Sequence, residues 1–280
     1  MTTVKQPHNR DERTVASFGD EWQRFDQSEL PAAESADIFE AYFAVFPWEK
    51  LPADASGFDM GCGTGRWARH VAPRVGVLHC IDPSDALEVA RRNLAEFDNL
   101  EFHAGGVDDG CLPPGSQDFG YSLGVLHHIP DTEAAMRSCV RMLKPGAPFL
   151  VYLYYAFDNR SAAFRAIWRL SEVGRSLISR MPPAIKHITT DLIAAAVYFP
   201  LARLSNALNA LGVPVHDMPL SFYRDRSFYT MRTDSRDRFG TPLEKRFSKA
   251  EIRQMMGNCG LSRINFSSGE PYWCAVGIKE

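Results

Sequence analysis

The sequence predicts an α/β fold in which a mainly parallel β-sheet has helices on both faces and carries a large, mostly helical insertion. Over residues 57–155, short apolar runs alternate with helical patterns, which is typical of parallel strands joined by crossover helices. Residues 156–247 show no strand-like alternation and contain amphipathic helical segments instead. The sheet pattern resumes over residues 248–280, so the insertion lies before the last helix and a closing antiparallel hairpin.

The strands and helices of the first part follow in regular order. Apolar runs predict five strands, over residues 57–60, 75–81, 100–104, 119–123 and 148–155. Helical patterns occupy residues 64–71, 85–97 and 133–143, and Lys144, Pro145 and Gly146 end the third helix. Because residues 148–155 are strongly apolar, we expect that strand to lie in the interior of the sheet.

The insertion is predicted to be helical and basic. Amphipathic helices cover residues 161–179 and 184–211, with a break at Pro200. Residues 160–246 contain 14 Lys and Arg against seven Asp and Glu, a net charge of +7, whereas the rest of the chain carries −10. This charge is either an ordinary solvated face or a set of cations offered to an acidic substrate or an acidic surface.

The end of the chain has a clear helix start signal. Ser248 and Glu251 form a capping box, and Phe247 and Ile252 are placed as a hydrophobic staple. The helix should run to about residue 258 and stop at Gly260. Residues 261–266 and 272–278 then form the two strands of the hairpin.

The composition excludes several classes of protein. With 45% hydrophobic and 23% charged residues, the 280-residue chain is folded and globular rather than disordered or collagen-like. Its net charge of −3 argues against a protein that coats nucleic acid non-specifically. The six cysteines include no Cys-x-x-Cys pair, so we predict no metal site and reduced, buried thiols, as in a cytoplasmic protein.

No stable insertion into a membrane is predicted. Residues 1–20 are polar and lack the apolar core of a signal peptide. The longest apolar run, residues 192–202, is too short to span about 30 Å of hydrocarbon, and Pro200 interrupts it. We interpret this run as a buried helix in preference to a membrane-surface element.

A glycine-rich turn follows the first predicted strand. Residues 59–65 read Asp-Met-Gly-Cys-Gly-Thr-Gly, and glycines at alternate positions let the backbone turn tightly and approach a ligand closely. The N–H groups at the start of the next helix should point at the same spot, so a nucleotide-type cofactor is expected there. The dinucleotide fingerprint fails because its third glycine would fall on Arg66, and no Gly-Lys-Ser/Thr follows for a Walker A loop.

Residues 59–65 resemble motif I of the class I S-adenosylmethionine-dependent methyltransferases, usually Asp-x-Gly-x-Gly-x-Gly. Asp82, which ends the second strand, matches that family's ribose-binding acid, and a carboxylate can accept hydrogen bonds from both ribose hydroxyls. Residues 119–128, ending Leu-His-His, look like the family's fourth-strand segment, and Leu-Lys-Pro-Gly at 143–146 is similar to the turn before its fifth strand. The resemblance covers about residues 50–155 and 248–280.

The resemblance implies a Rossmann-like, seven-stranded methyltransferase sheet with S-adenosylmethionine as the cofactor. It divides the chain into an N-terminal helical cap (1–49), a cofactor-binding core (50–155), a helical insertion or substrate lid (156–247), and a C-terminal helix and hairpin that complete the core (248–280). The expected cofactor-binding residues are Asp59, Gly61, Cys62, Gly63, Gly65, Asp82, Pro83, Val107, Asp108, Leu123, Phe18 and Trp22.

Two of these assignments have open alternatives. The family commonly places an acid that contacts the adenine amino group after the third strand; counting back from Leu112 selects Asp108, whereas counting from the strand selects Gly106. We favour Asp108, against a solvated loop acid. The segment around Phe18 and Trp22 resembles one that precedes the core in some small-molecule methyltransferases, where its aromatic rings would cover the cofactor; the alternative is ordinary docking of an N-terminal helix.

The implied reaction is in-line displacement at a sulfonium methyl, in which the protein positions a nucleophile and excludes water. An oxygen or activated carbon nucleophile also needs a base. His127 and His128 follow the fourth strand, and we favour His128; alternatively, one histidine is packed and the other caps the turn before Asp131.

Substrate contacts are expected from two regions. Tyr154, Tyr155 and Arg160 follow the fifth strand, near the carboxyl edge of the sheet. Arg224, Tyr229 and Arg232 belong to the insertion and would clamp a carboxylate or phosphate. The alternative for each is a surface arginine or a core tyrosine.

The acceptor is predicted to be a small molecule. The Asn/Asp-Pro-Pro-Tyr/Phe motif of exocyclic amino methylation is absent after the fourth strand, and no Pro-Cys pair for cytosine-carbon methylation occurs, so no nucleic acid partner is expected. We favour O-methylation of an anionic or sugar-like acceptor. One alternative is methylation of a nitrogen or carbon atom. The other is a catalytically silent protein that binds the cofactor and uses the insertion to bind a partner.

Overall fold

The computed structural model describes residues 9–216 and 218–280, whose strands form one seven-stranded sheet. The strands are β1 (Ser56–Met60), β2 (Val77–Asp82), β3 (Leu100–Ala104), β4 (Phe119–Leu123), β5 (Pro148–Tyr152), β6 (Leu261–Phe266) and β7 (Cys274–Lys279). Their order is β3-β2-β1-β4-β5-β7-β6, and β7 runs in the direction opposite to the other six strands. The order reverses between β1 and β4, so the carboxyl ends of these strands border a crevice, where ligands bind in open α/β sheets.

Ten α-helices accompany the sheet in the described part of the chain. They are α1 (Glu12–Arg24), α2 (Ala32–Phe43), α3 (Ala68–Val71), α4 (Ala86–Asn93), α5 (Thr132–Met142), α6 (Ala162–Ile178), α7 (Pro183–Ile193), α8 (Phe199–Ala210), α9 (Phe228–Gly240) and α10 (Lys249–Asn258). The capping box between Ser248 and Glu251 is present at the start of α10, as predicted.

The core confirms that helices cover both faces of the sheet. On one face, Phe58 of β1 belongs to an apolar cluster with Met136 of α5 and Ile252 of α10. On the other, Tyr121 of β4 belongs to a cluster with Phe39 of α2 and residues of α3 and α4. The alternation of side chains along each strand produces these two cores.

Two predicted boundaries differ in ways that affect the site. The helix after the glycine-rich turn begins at Ala68 rather than residue 64, because the positive φ angles of Gly61, Gly63 and Gly65 keep the preceding segment in turns. The N–H groups beside the turn therefore belong to a loop and not to a helix end. Strand β5 ends at Tyr152, three residues before the predicted end, and Tyr155 makes an isolated bridge with Phe247 instead.

The insertion holds α6 to α9. Pro200 lies in the first turn of α8, directly after a π-helical turn (Ala194–Tyr198) that joins it to α7. The apolar run 192–202 is amphipathic rather than buried, since Leu192 and Val197 are 63% and 44% exposed whereas Ala202 is fully buried. Among the described residues, no helix combines the length and apolar character needed to cross a membrane.

The N-terminal segment and the insertion meet through a buried ion cluster. Arg236 of α9 is only 1% exposed, and its Nη2 lies 2.9 Å from Oδ2 of Asp20 on α1. Its Nη1 lies 3.6 Å from the carboxylate of Glu21, which is completely buried, so that burial raises the pKa of Glu21 well above its ordinary value. The cluster holds α1 against α9, above the carboxyl edge of the sheet.

Candidate active site

A cavity of about 690 Å³ lies at the carboxyl ends of β1, β2, β4 and β5. Its floor is the glycine-rich turn and the ends of these strands, and its remaining walls come from α1 and the insertion. Nine of the predicted cofactor-binding residues line it: Gly61, Cys62, Gly63, Asp82, Pro83, Val107, Leu123, Phe18 and Trp22. Asp59, Gly65 and Asp108 do not line it.

The three glycines of the turn have different roles. A Cβ on Gly61 would lie 2.5 Å from Val125, and one on Gly65 would lie 2.4 Å from Leu94, so both positions need glycine for packing as well as for φ. A Cβ on Gly63 would instead lie 3.4 Å from Nε1 of Trp22, on the cavity side. Gly63 is therefore the position at which the backbone is open to a ligand.

Asp82 joins the turn to the end of β2. Its Oδ2 accepts a hydrogen bond of 2.9 Å from the N–H of Gly63, and its Oδ1 accepts one of 2.9 Å from the N–H of Ser84. Burial raises the pKa of Asp82 despite these hydrogen bonds. Asp59 lies beneath the turn, opposite Tyr121 in the sheet, and burial raises its pKa well above the ordinary value.

The loop after β3 contains both candidates for the adenine contact, Asp108 and Gly106. Gly106 and Val107 line the cavity. The carboxylate of Asp108 does not line the cavity; it accepts hydrogen bonds from the N–H of Asn9, which does line it (2.8 Å), and from Oγ of Ser138 (3.3 Å). The preference for Asp108 is not supported by this placement, because its side chain is used to hold the N-terminal segment.

The two histidines have different surroundings. Nδ1 of His128 lies 2.6 Å from the carbonyl oxygen of Leu243, which can only accept, so Nδ1 carries a proton; in the neutral tautomer of this ring the lone pair is then on Nε2. His128 lines the cavity, and its buried Nε2 has no hydrogen-bond partner among the described residues. His127 is fully buried outside the cavity, with its ring 3.9 Å from that of Tyr154, and burial lowers its pKa well below the usual value.

Two aromatic side chains of α1 lie over the turn. Trp22 faces Gly63, and Phe18 packs with its ring centre 4.9 Å from that of His128. The rings of Phe18 and Trp22 are nearly parallel, 6.4 Å apart. Both line the cavity.

The predicted substrate residues divide into two groups. Tyr154, Tyr155 and Arg160 line the cavity, and Arg160 forms an ion pair of 2.5 Å with Glu270. Arg224, Tyr229 and Arg232 do not reach it.

The contacts of the second group explain its placement. Arg232 pairs with Asp191 at 3.2 Å, and Arg224 pairs with Asp225 at 3.2 Å while lining a separate, shallower cavity. The hydroxyl of Tyr229 accepts a hydrogen bond of 2.9 Å from the N–H of Gln27. Because these three residues lie outside the cavity, the expected clamp for a carboxylate or phosphate is not formed there.

Sequence reasoning missed two acids of α9 that line the cavity, Asp234 and Asp237. Asp237 accepts a hydrogen bond from the hydroxyl of Tyr154, and Asp234 accepts one of 2.9 Å from that of Tyr223. Their spacing of three residues on a helix was the only available signal, and charged residues at that spacing are common on solvated faces.

Asp234 should make stability depend on pH. Burial raises its pKa from 3.8 to about 6. Because the folded protein then binds this proton more tightly than the unfolded chain, stability falls as pH rises from about 4 to 6. We expect Asp234→Asn to raise the free energy of unfolding by about 1–2 kcal/mol at pH 8 and by much less at pH 4. Guanidinium titrations at both pH values measure this, and an equal effect at both would contradict it.

Comparison with known proteins identifies the family. A family model described as a methyltransferase domain matches residues 58–151. A ubiquinone biosynthesis O-methyltransferase of Xanthomonas euvesicatoria pv. vesicatoria is 30% identical over 188 residues, which cover 65% of this chain and 73% of that protein. One from Thiobacillus denitrificans is 27% identical over 179 residues, covering 62% and 74%.

Solved structures show the same fold at low identity. An O-methyltransferase family protein of Burkholderia thailandensis aligns over 96% of this chain and 60% of its own, with a TM-score of 0.54 and 14% identity. An S-adenosylmethionine-dependent methyltransferase of Thermotoga maritima aligns over 95% and 100%, with a TM-score of 0.52 and 14% identity. Together with the glycine turn, Asp82 and the sheet order, these matches show that the chain belongs to the class I S-adenosylmethionine-dependent methyltransferases and uses S-adenosylmethionine as its cofactor.

Proposed function

We propose that this methyltransferase acts on a hydroxyl oxygen of a small, largely apolar acceptor, with His128 as the general base. The observation that carries the proposal is the state of His128, whose Nδ1–H is held by the carbonyl of Leu243 while Nε2 keeps a lone pair without a partner in the described structure. A neutral imidazole oriented in this way can take the proton that a hydroxyl loses as its oxygen attacks.

The residues of the cavity floor fit S-adenosylmethionine, which supplies a methyl group on a sulfonium sulfur when it is bound. Asp82 offers a buried carboxylate for the ribose hydroxyls, and Gly106 and Val107 offer a wall for the adenine. Gly63 and Gly124 leave room for the amino-acid end, since a Cβ on Gly124 would meet nothing within 4 Å. In this proposal the rings of α1 cover the cofactor and exclude water.

The acceptor end of the cavity favours an apolar molecule over the anionic or sugar-like one expected from the sequence. Its walls come mainly from aromatic and aliphatic side chains of the insertion, among them Phe157, Phe164, Ile167, Trp168, Val197 and Tyr198. Two arginines at this end are engaged by acids: Arg238 by Glu244 at 3.2 Å, and Arg160 by Glu270. The insertion, residues 156–247, is accordingly proposed as the acceptor lid.

The names of the relatives, ubiquinone biosynthesis O-methyltransferases, support oxygen as the methylated atom.

Methyl transfer to matched acceptors tests the proposal. The protein is incubated with methyl-labelled S-adenosylmethionine and, separately, a phenol with an alkyl chain, the corresponding aniline, and a hydroxylated sugar acid. We expect label in the phenol ether. Preferred labelling of the aniline or the sugar acid would overturn the acceptor class. Absence of any transfer, with S-adenosylhomocysteine still bound in calorimetry, would instead support a catalytically silent binding protein.

Asp82 and Asp108 provide a matched pair for the cofactor site. Asp82→Ala removes the carboxylate at the cavity and the partner of the Gly63 N–H, so we expect S-adenosylhomocysteine to bind at least about tenfold more weakly. Asp108→Ala removes a carboxylate that faces Asn9 and should change the affinity less than twofold. Calorimetry compares the two variants. A larger loss in the Asp108 variant would restore Asp108 as the adenine contact.

A further inference from the structure

A second group of chemically active side chains lies on the sheet, outside the cavity. His79 lies on β2, and Glu101 and His103 lie on β3, which is the edge strand. His79 is directly opposite Glu101 in the parallel register, and His103 follows Glu101 by two residues. Because side chains alternate along a strand, all three project from the same face of the sheet.

The three side chains bring ligand atoms together. Nδ1 of His79 lies 3.0 Å from Nε2 of His103 and 3.2 Å from Oε2 of Glu101. The distance between Nε2 of His103 and Oε2 of Glu101 is 3.9 Å. A tetrahedral zinc ion with bonds of about 2.0–2.2 Å holds its ligand atoms roughly 3.4 Å apart, which matches this spacing.

A neighbouring hydrogen bond fixes the proton on His79. The hydroxyl of Ser56 donates to Oε1 of Gln117 at 3.1 Å, so its oxygen accepts from Nε2–H of His79 at 3.4 Å. Nδ1 of His79 then carries a lone pair. Nδ1 of His79 faces two groups, the carboxylate of Glu101 and Nε2 of His103. The carboxylate is also an acceptor, so it cannot satisfy the lone pair of His79. One proton on Nε2 of His103 can satisfy either His79 or Glu101, but not both at once.

We propose that His79, Glu101 and His103 bind a zinc ion, with a water molecule as the fourth ligand. The cation satisfies the lone pairs of all three side chains. The hydrogen bond with Ser56 orients the ring of His79, as hydrogen bonds to the second ring nitrogen do for histidine ligands in other zinc sites. None of the three residues lines the cofactor cavity, so the ion has a structural role: it ties the edge strand β3 to β2, the strand that ends in Asp82. The site contains no cysteine, so the Cys-x-x-Cys pattern does not mark it in the sequence.

Calorimetry with zinc chloride on the untagged protein tests this site. We expect one ion per chain, an affinity at least about tenfold lower in His103→Gln and Glu101→Gln, and an unchanged affinity in His70→Gln, a histidine of α3 outside the cluster. Zinc should also raise the melting temperature of the wild type and not that of His103→Gln. Equal affinity in the wild type and His103→Gln, or a cobalt(II) spectrum with thiolate charge-transfer bands, would overturn the proposal.

A separate observation concerns the outer surface of the insertion. On α6, Ile167, Leu170, Val173 and Leu177 lie on one face and are between 56% and 74% exposed. On α7, Ile185, Ile188 and Leu192 form a similar stripe, 52% to 63% exposed. All the exposed large apolar side chains of the described residues fall between positions 167 and 228, within the insertion. Such a concentration of exposed apolar side chains marks an interaction site.

The exposed cations of the insertion and the position of the cavity indicate which kind of partner the apolar stripes bind. The exposed cations Arg169 and Arg180 accompany the α6 stripe, whereas Arg160, Arg236 and Arg238 of the insertion are largely buried and paired with acids. Ile167 and Val197 are exposed and also line the cavity, so the apolar surface continues into the acceptor end. A basic, apolar helical surface of this kind is suited to the interface of an anionic lipid bilayer.

We infer that the α6 and α7 stripes dock on an anionic membrane surface, from which the acceptor enters the cavity. The inference rests on the proposed function for its acceptor. It explains why the apolar side chains of two helices remain uncovered.

Vesicle sedimentation tests the docking surface. We expect the protein to sediment with vesicles of phosphatidylglycerol and phosphatidylcholine and much less with phosphatidylcholine alone. Leu170→Ser/Leu177→Ser should reduce binding at least about fivefold, whereas Leu170→Met/Leu177→Met should retain it. Neither position lines the cavity, so transfer to a water-soluble phenol should be unchanged in both variants.

The outcomes separate the two proposals. Equal sedimentation of the Ser and Met variants, or a dimer in gel filtration that the Ser variant dissociates, would overturn membrane docking. Failure of the wild type to methylate the water-soluble phenol would count against the proposed function, and the sedimentation result does not depend on it.

Discussion

Gly63→Val is expected to abolish the binding of S-adenosylhomocysteine, with a loss of affinity of about 100-fold or more. Gly63 has a φ of +52°, a region in which a β-branched residue is strained by about 1–2 kcal/mol. The added methyl groups would also occupy the space between the turn and Trp22, where the cofactor is proposed to lie. Titration calorimetry measures the affinity, and thermal melting confirms that the variant is folded.

Gly115→Val is the matched control for this substitution. Gly115 has a φ of +65°, so valine is strained there as well, but a Cβ at this position meets nothing within 4 Å and the residue lies outside the cavity. We expect its affinity to stay within about twofold of the wild type. If both variants bound the ligand as the wild type does, the glycine turn would not be the cofactor site.

His128→Asn is expected to lower kcat by about 10² to 10⁴, the usual contribution of a general base. The asparagine amide can still donate to the carbonyl of Leu243, because its nitrogen replaces Nδ1 of the imidazole. The variant lacks only the acceptor at Nε2. The affinity for S-adenosylhomocysteine should therefore remain unchanged while kcat falls, and steady-state kinetics with the phenol acceptor separates the two quantities.

His70→Asn controls for the loss of a histidine elsewhere. His70 hydrogen-bonds Ser35 at 2.9 Å and does not line the cavity, so its replacement should leave kcat unchanged. A His128→Asn enzyme with wild-type kcat would show that proton removal does not depend on this residue, and the proposed base would then be wrong.

Much of the fold and of the cofactor floor could be predicted because the signals are local. The glycine turn and Asp82 each follow a strand within a few residues, and parallel strands bring their carboxyl ends to one edge. The capping box at Ser248 is likewise a contact between residues three positions apart. Such features depend on backbone geometry over a short stretch of chain, and the residue types in that stretch largely determine this geometry.

The acceptor end could not be predicted because its contacts join distant parts of the chain. Arg232 resembled an anion clamp in the sequence, but folding places Asp191, 41 residues away, against it. His127 and His128 are adjacent and of the same type, yet one is packed against Tyr154 and the other is oriented by Leu243. The cluster of His79, Glu101 and His103 could not be predicted for the same reason, since it forms only when strands β2 and β3 pair.

By itself, the sequence determined the α/β class through its periodicity. Its short motifs indicated the cofactor and the edge of the sheet that binds it through their resemblance to those of a known family. Only the tertiary structure decided which histidine lines the cavity, which arginines reach it and which apolar stripes remain uncovered. The physical reason is that charge, protonation and exposure depend on what surrounds a group in space, and packing assembles those surroundings from residues far apart in the chain.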